Sequence, residues 1–286
     1  MRKISLPSSL KVGPNTTLVL AKKRYLLIYI FLIWISIFSI QFEFWLFWAV
    51  YEVEKFVHFY LFLPLLIFIM YLTSIFISLI FAKFFLVIVN LIHKPREGVF
   101  LRHHSDKNYR YWSLRSVIKK WPLWISHKFP FPFMNNICLR MFGVKTKYSN
   151  SLFEGFVDTE FLDFGKHVVI GQSAIVQSAV IVGNLFIIRK TILEDNVVVG
   201  AHSIVMPGTN MKKDSILAGS SMTTVGQVLE EGWVYLGAPA KKYKKNVFFE
   251  DDLENVITSQ LEKEVIIEKK PEDLYTMRID KDTTIN

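Results

Sequence analysis

A six-residue period governs residues 193–222, which run LEDNVV, VGAHSI, VMPGTN, MKKDSI and LAGSSM. The first place is always apolar: Leu193, Val199, Val205, Met211 and Leu217. The fifth is small or β-branched: Val197, Ser203, Thr209, Ser215 and Ser221. A helix repeats near 3.6 residues and a two-faced strand near 2. A sustained period of six is instead the mark of a parallel β-helix, in which each hexad supplies one short strand and one corner. Like positions stack coil upon coil at about 4.8 Å. No coil buries its apolar column alone, so several must stack.

The period extends backwards through Phe164, Ile170, Val176, Val182 and Ile188, with IGQSAI at residues 170–175 the best single match. The step from Ile188 to Leu193 is five, so the phase slips once, at a small loop. Counted through that slip, His167 and His202 hold equivalent fourth places six hexads apart. The count puts both in one outward column, about 10 Å apart.

Apolar residues make up 51% of the chain and the formal net charge is +9, with most of the excess apolarity before residue 93. Residues 25–51 and 56–92 are each long enough to cross a hydrocarbon core of about 30 Å, which needs about 20 helical residues. The second run is longer than one crossing requires, so the span is placed at residues 57–82, with Lys83 at its inner end. Lys11, Lys22, Lys23 and Arg24 precede the first span, and Lys83, Lys94, Arg96 and Arg102 lie at the end of the second. The turn between carries Glu52, Glu54 and Lys55. The positive-inside rule then places both termini in the cytoplasm. Glu43 falls near the outer end of the first span, where an interfacial carboxylate costs little.

Residues 93–147 form a basic, aromatic connector. Arg110, Arg115, Lys119, Lys120 and Lys128 alternate with Tyr109, Trp112, Trp121, Trp124 and Phe129. Residues 113–121 are expected as an amphipathic helix ended at Pro122. Beside two spans, this composition reads as a platform on the inner leaflet rather than a nucleic-acid surface. His103 and His104 have no companion ligands at helical spacing, and the single Cys138 gives neither a disulfide nor a thiolate cluster; no metal is expected. Residues 247–263 read as a short helix with acids in its first turn, followed by a charged tail. The expected organisation is an arm at 1–24, two membrane helices at 25–92, the connector at 93–147, the repeat domain at 148–245, and a C-terminal helix and tail at 246–286.

IGQSAI, VGAHSIVMPG, LAGSSM and GAPAKKYK together resemble the hexapeptide-repeat acyltransferases. The segment from Glu97 through CLRMFGVKTK also resembles what precedes the β-helix in membrane-bound amino-acid-ligating and peptide-synthetase-associated members. The resemblance implies a mainly β soluble part, a left-handed parallel β-helix, preceded by an α-helical transmembrane hairpin. It also implies a homotrimer and an acyl-CoA donor, acetyl-CoA or another, whose pantetheine arm lies along Gly200, Ala201, Ala218 and Gly219. Pro239 and Lys241 match the turn that follows the coils, and Lys241, Lys242, Lys244 and Lys245 are candidates for the nucleotide phosphates. Close approach of a thin tether suits residues with little or no side chain.

Acyl transfer to a hydroxyl or amine needs a base, and histidine fits that task near neutral pH. The family's loop histidine would fall at residues 177–184, QSAVIVGN, where there is none. His167 and His202 remain as catalytic candidates. The expected function is a membrane-bound acyltransferase acting on a lipid-associated or lipophilic acceptor at the cytoplasmic face. The alternative is a non-catalytic trimeric scaffold that organises membrane partners.

Overall fold

The structure, a computed structural model, describes residues 23–50, 56–103, 105–129, 131, 133–152 and 155–246. The acidic turn expected at 52–55, His104, the N-terminal arm and the expected C-terminal helix lie outside the described residues. The elements below belong to the unit Met1–Lys245.

Helices α1 (Leu26–Val50) and α2 (Phe56–Ile92) pack on each other. Both are long and apolar enough to cross a membrane. Most of their side-chain surface is not covered by the rest of the chain, unlike the core helix of a soluble domain. The second apolar run is one continuous helix that passes through Pro64. Strand β1 (Gly98–Leu101) follows, then α3 (Lys107–His127) and α4 (Phe133–Phe142). Asp106 caps α3, its Oδ1 accepting from the amides of Asn108 at 2.7 Å and Tyr109 at 3.4 Å. Satisfying two orphan donors in this way stabilises a helix start by about 1 kcal/mol.

Contrary to expectation, α3 does not stop at Pro122. A proline costs an interior hydrogen bond, and here burial of the flanking side chains outweighs that cost. Pro122 itself is buried, Ile118 and Ile125 pack into the core shared with α1 and α2, and the indole of Trp121 donates to Ser36 Oγ at 3.1 Å. Nor does the connector lie free as a basic platform. Arg115 and Lys119 point into the protein and Trp112 packs on Phe186.

The repeats build a three-sided stack of parallel strands. After β2 (Phe156–Val157), strands β3 (Leu162–Phe164), β4 (Val169–Ile170) and β5 (Ile175–Val176) make the first full circuit. A hairpin of β6 (Ala179–Val182) and β7 (Leu185–Ile188) interrupts it. The circuit resumes with β8 (Thr191–Leu193), β9 (Val198–Val199), β10 (Ile204–Val205), β11 (Asn210–Met211) and β12 (Ile216–Leu217). It closes with β13 (Val228–Leu229), β14 (Trp233–Leu236) and the returning β15 (Lys241–Lys245). The first face is β3-β8-β11-β13, the second β4-β9-β12-β14 and the third β2-β5-β10. Bridges from Lys145 to Asp163, Ser151 to Val169 and Ile204 to Met222 extend the faces, so the stack begins before residue 148.

Phe164, Leu193, Met211 and Leu229 line the interior of the first face, and Ile170, Val199, Leu217 and Tyr235 that of the second, all buried. A fully buried aliphatic side chain of this size stabilises by about 1.5–3 kcal/mol. Some of the small fifth-place residues also bond the corners from inside. Ser203 Oγ donates to Ala218 O at 2.7 Å, and Thr209 and Thr223 hydroxyls meet at 2.9 Å. Each corner turns through a left-handed backbone conformation: His167, Asn196 and Asp214 at the first; Ser173, His202 and Ser220 at the second; Phe161, Gly208 and Gly226 at the third.

The phase slip has a different cause from a small loop. Val198 pairs with Ile216, three plain hexads further along the chain. Val169 pairs with Val198, a step that contains the whole β6–β7 hairpin as well as three hexads. Val182 and Ile188 therefore belong to that hairpin and not to the repeat, although the six-residue spacing passes through them by coincidence. The hairpin pairs with β1 and lies over the third face. Val180 and Ile187 pack on Met206 and Val225, while Phe186 on its other side meets Tyr109 and Trp112 of α3.

Candidate functional site

The hairpin overturns the expected pairing of the two histidines. With the hairpin taken out of the count, His167 and His202 stand four hexads apart, one full turn plus one face. They occupy different corners. His167 (φ 55°) stacks with Asn196 and Asp214 between the first and second faces. His202 (φ 59°) stacks with Ser173 and Ser220 between the second and third. Both side chains are exposed. Sequence counting missed this because a hairpin with alternating apolar residues mimics two further hexads.

The four small residues assigned to the pantetheine arm converge at the His202 corner. Successive coils meet there backbone to backbone. A Cβ on Gly171 would lie 2.7 Å from Ala201 N, and one on Gly200 would lie 2.8 Å from Ala218 C and Gly219 Cα. The amide of Ser220 donates to Ala201 O at 2.9 Å and that of His202 to Gln172 O at 2.9 Å. Ala201, His202, Gly219 and Ser220 are all exposed. The corner is thus a ridge of bare peptide with an imidazole on it. Glycine is required at 171 and 200 by the spacing of the coils, whatever else binds there.

The GAPA turn closes over the same corner one coil later. The amide of Gly237 donates to Ser221 Oγ at 3.0 Å, and the carbonyl of Gly237 accepts from Met222 N at 2.9 Å. Pro239 lies in this turn, half-buried, and Lys241 opens β15 with its side chain exposed. Lys242 is held otherwise, ion-paired to Glu230 with its ammonium 3.9 Å from the centre of the Trp233 ring.

Residues 177–184, where a loop base was sought, follow β5 directly and make up the first strand of the hairpin and its turn. They face a buried charge cluster that the sequence did not reveal. Glu160 Oε1 accepts from Arg115 Nε and from Lys119 Nζ, each at 2.8 Å. Asp158 Oδ2 accepts from Ser178 N at 2.9 Å, Ala179 N at 3.3 Å and Ser178 Oγ at 3.2 Å. Burial alone would raise the Glu160 carboxyl, but the Lys119 and Arg115 charges outweigh it and hold the group below its ordinary value. Burial pushes Asp158 up despite its amide donors, and pulls Lys119 down despite Glu160. The cluster sits at the corner between the third and first faces, away from His202, and clamps α3 to the first coil. The signal for it was Arg115 and Lys119, one helical turn apart on α3, but nothing local named their partner.

A depression of about 330 Å³ beside the His167 corner is lined by Asp163, Gly165, Ile192, Leu193, Glu194, Asp195 and Lys213. Lys145 and Lys190 pair with Asp163 and Lys212 with Glu194, so its rim carries charges of both signs.

No family's sequence model matches the chain, and no curated protein matches its sequence. Solved structures do resemble it. A maltose O-acetyltransferase from Clostridium difficile 630 is 13% identical, with a TM-score of 0.38, over 52% of this chain and 92% of that one. A hexapeptide-repeat containing acetyltransferase from Vibrio cholerae is 14% identical, with a TM-score of 0.33, over 45% and 88%. An N-acyltransferase from Bacillus cereus, in complex with dTDP and 3-hydroxybutyryl-CoA, is 17% identical, with a TM-score of 0.28, over 40% and 87%. At such identities and scores these likenesses carry no statement about what this chain binds or does.

Proposed function

We propose that this chain is a membrane-bound acyltransferase with a left-handed hexapeptide-repeat β-helix on the cytoplasmic side of a transmembrane hairpin. It takes an acyl group from a CoA or carrier thioester and passes it to a hydroxyl or amine of a lipid-associated acceptor. The observation that supports this best is the convergence of Gly200, Ala201, Ala218 and Gly219 with His202 on one exposed corner. His202 accepts the acceptor's proton as its oxygen or nitrogen attacks the thioester carbonyl. The C–S bond then breaks and the proton passes to the departing thiolate, so protons and electrons balance. A base so placed contributes roughly 10²–10⁴-fold.

Val169, Val198 and Ile216 form an outward apolar column on the second face, with Val169 40% exposed. That column supports a homotrimer in which a neighbour's coils complete the groove beside His202.

The test is acyl transfer by the full chain in detergent or vesicles, with heat protection by CoA beside it. His202→Ala is expected to lower turnover roughly 10²–10⁴-fold while CoA still protects, and His167→Ala to leave both unchanged. Absence of a thermal shift at saturating CoA counts against a CoA donor. The scaffold reading is favoured by one observation: residues 177 and 178, in the place of the missing loop histidine, are buried at the base of the hairpin. Acylation unchanged in the His167→Ala, His202→Ala double variant decides for the scaffold.

A further inference from the structure

The depth of the α3–α4 connection along the two long helices points to a third membrane element. The segment 51–55 carries Glu52, Glu54 and Lys55, so the outer edge of the hydrocarbon lies no farther out than the ends of α1 and α2 that flank it. An upright helix crosses about 30 Å in about 20 residues. The inner edge then falls near residue 31 on α1 and near residue 76 on α2, and any tilt or inward shift moves it farther from that segment.

The end of α3 reaches past that edge. Trp121 Nε1 donates to Ser36 Oγ at 3.1 Å, and Tyr71 donates from its hydroxyl to Ile125 O at 3.1 Å. Phe129 stacks on Tyr71 with centroids 5.7 Å apart and meets Phe68 at 6.2 Å. Ser36 and Tyr71 each lie five residues inside the edge, about 8 Å at 1.5 Å per residue, and Phe68 about 12 Å. Two independent helices give the same depth.

The chemistry of the connection fits that depth. Residues 121–134 read WPLWISHKFPFPFM. Trp124, Phe131 and Phe133 are 54%, 50% and 50% exposed to whatever surrounds the chain. A turn in hydrocarbon must leave few polar backbone groups unpaired. Pro130 and Pro132 bring no N–H. The amides of Lys128, Phe129 and Met134 donate to Ile125, Ser126 and Phe131 carbonyls at 3.2, 3.2 and 3.3 Å, and Ser126 Oγ returns to Leu123 O at 3.0 Å. The long stem of Lys128 lets its ammonium rise towards the headgroups.

We propose that residues 121–129, 131, 133 and 134 belong to a re-entrant wedge, seated among the phospholipid acyl chains of the leaflet nearest the coils. The proposal rests on reading α1 and α2 as membrane spans. The wedge also seats the coils, because α4 leaves it and caps the first of them, Asn135 and Asn136 donating to Leu152 O at 3.2 Å and Asn150 O at 2.9 Å.

The full chain is reconstituted in phosphatidylcholine vesicles, with bimane attached at Phe131→Cys or, as a second site, Trp124→Cys. Phe38→Cys on α1 serves as the span reference and Tyr148→Cys as the water reference. Cys138 is buried, and wild type labelled in parallel gives the background. Lipids brominated in mid-chain should quench Phe131→Cys and Trp124→Cys as strongly as Phe38→Cys, while aqueous iodide quenches only Tyr148→Cys. If iodide quenches both wedge sites while Phe38→Cys still answers to brominated chains, the wedge is wrong and the spans stand. If iodide also quenches Phe38→Cys, the spans are wrong and the wedge goes with them.

Discussion

Substituting Gly200 by alanine isolates the close contact on which the candidate site depends. The backbone at Gly200 does not have a positive φ, so the change is one of volume alone. A Cβ there would sit against Gly219 N closer than real Cβ atoms approach, with Ala218 C and Gly219 Cα at 2.8 Å. All three neighbours are backbone and cannot swing aside, so two coils must separate. Overpacking of this kind costs about 1–3 kcal/mol, and the upper half of that range applies because the whole strand must shift. For a chain of this size that is a fall in Tm of roughly 3–5 °C. Gly219→Ala is the matched control. It adds the same methyl one coil on, with a nearest neighbour, Ala201 O, at 3.4 Å, and its Tm should stay within about 1–2 °C of wild type. Differential scanning fluorimetry on the detergent-purified chain reads both. Equal melting of Gly200→Ala and wild type, or an equal loss in Gly219→Ala, would refute the close backbone stacking of this corner.

Other outcomes follow from the buried polar groups. Glu160→Gln leaves Arg115 and Lys119 buried without a carboxylate and should cost about 3–5 kcal/mol by denaturant titration. Because Glu160 is held below its ordinary value in the fold, its contribution is present above the usual carboxylate range and lost as pH falls through the depressed value. Asp158, raised by burial, acts with the opposite sign: its contribution declines as pH rises through the raised value, so Asp158→Asn should flatten that opposing part of the stability–pH profile. Asn150→Ala removes the acceptor of the buried Val168 amide at 3.0 Å and a donor to Gly165 O at 2.9 Å. The expected loss is about 2–3 kcal/mol, checked by the midpoint of urea unfolding. Deleting the hairpin, residues 179–189, restores an unbroken coil of three hexads but bares Ile204, Met206 and Met222; the expected result is soluble aggregation by light scattering, with no change in the helix content of α1 and α2.

The repeat was legible because stacking makes identical demands on every sixth residue. Leu193, Val199, Val205, Met211 and Leu217 face one shared interior, and Ser203, Thr209, Ser215 and Ser221 sit where walls converge. The two long apolar helices were legible for a similar reason, since length and composition are properties of a single segment. What sequence could not settle was anything that joins distant segments. Val182 and Ile188 keep the period by accident, and only pairing to β1 and to each other's strands shows that they leave the coil. With that insertion the two histidines part company, and His202 alone shares a corner with the glycines. Pro122 looked like a stop because local rules register only its missing N–H, whereas the helix is held through it by contacts with Ser36 of α1 and Tyr71 of α2, far off in the chain. Arg115 and Lys119 looked like lipid-facing cations until the fold brought Glu160 between them. Periodicity and hydrophobicity are local and additive, so the chain alone fixes the coil and the apolar helices. Register, corner and ion partner depend on which strands meet, and only the folded molecule decides that.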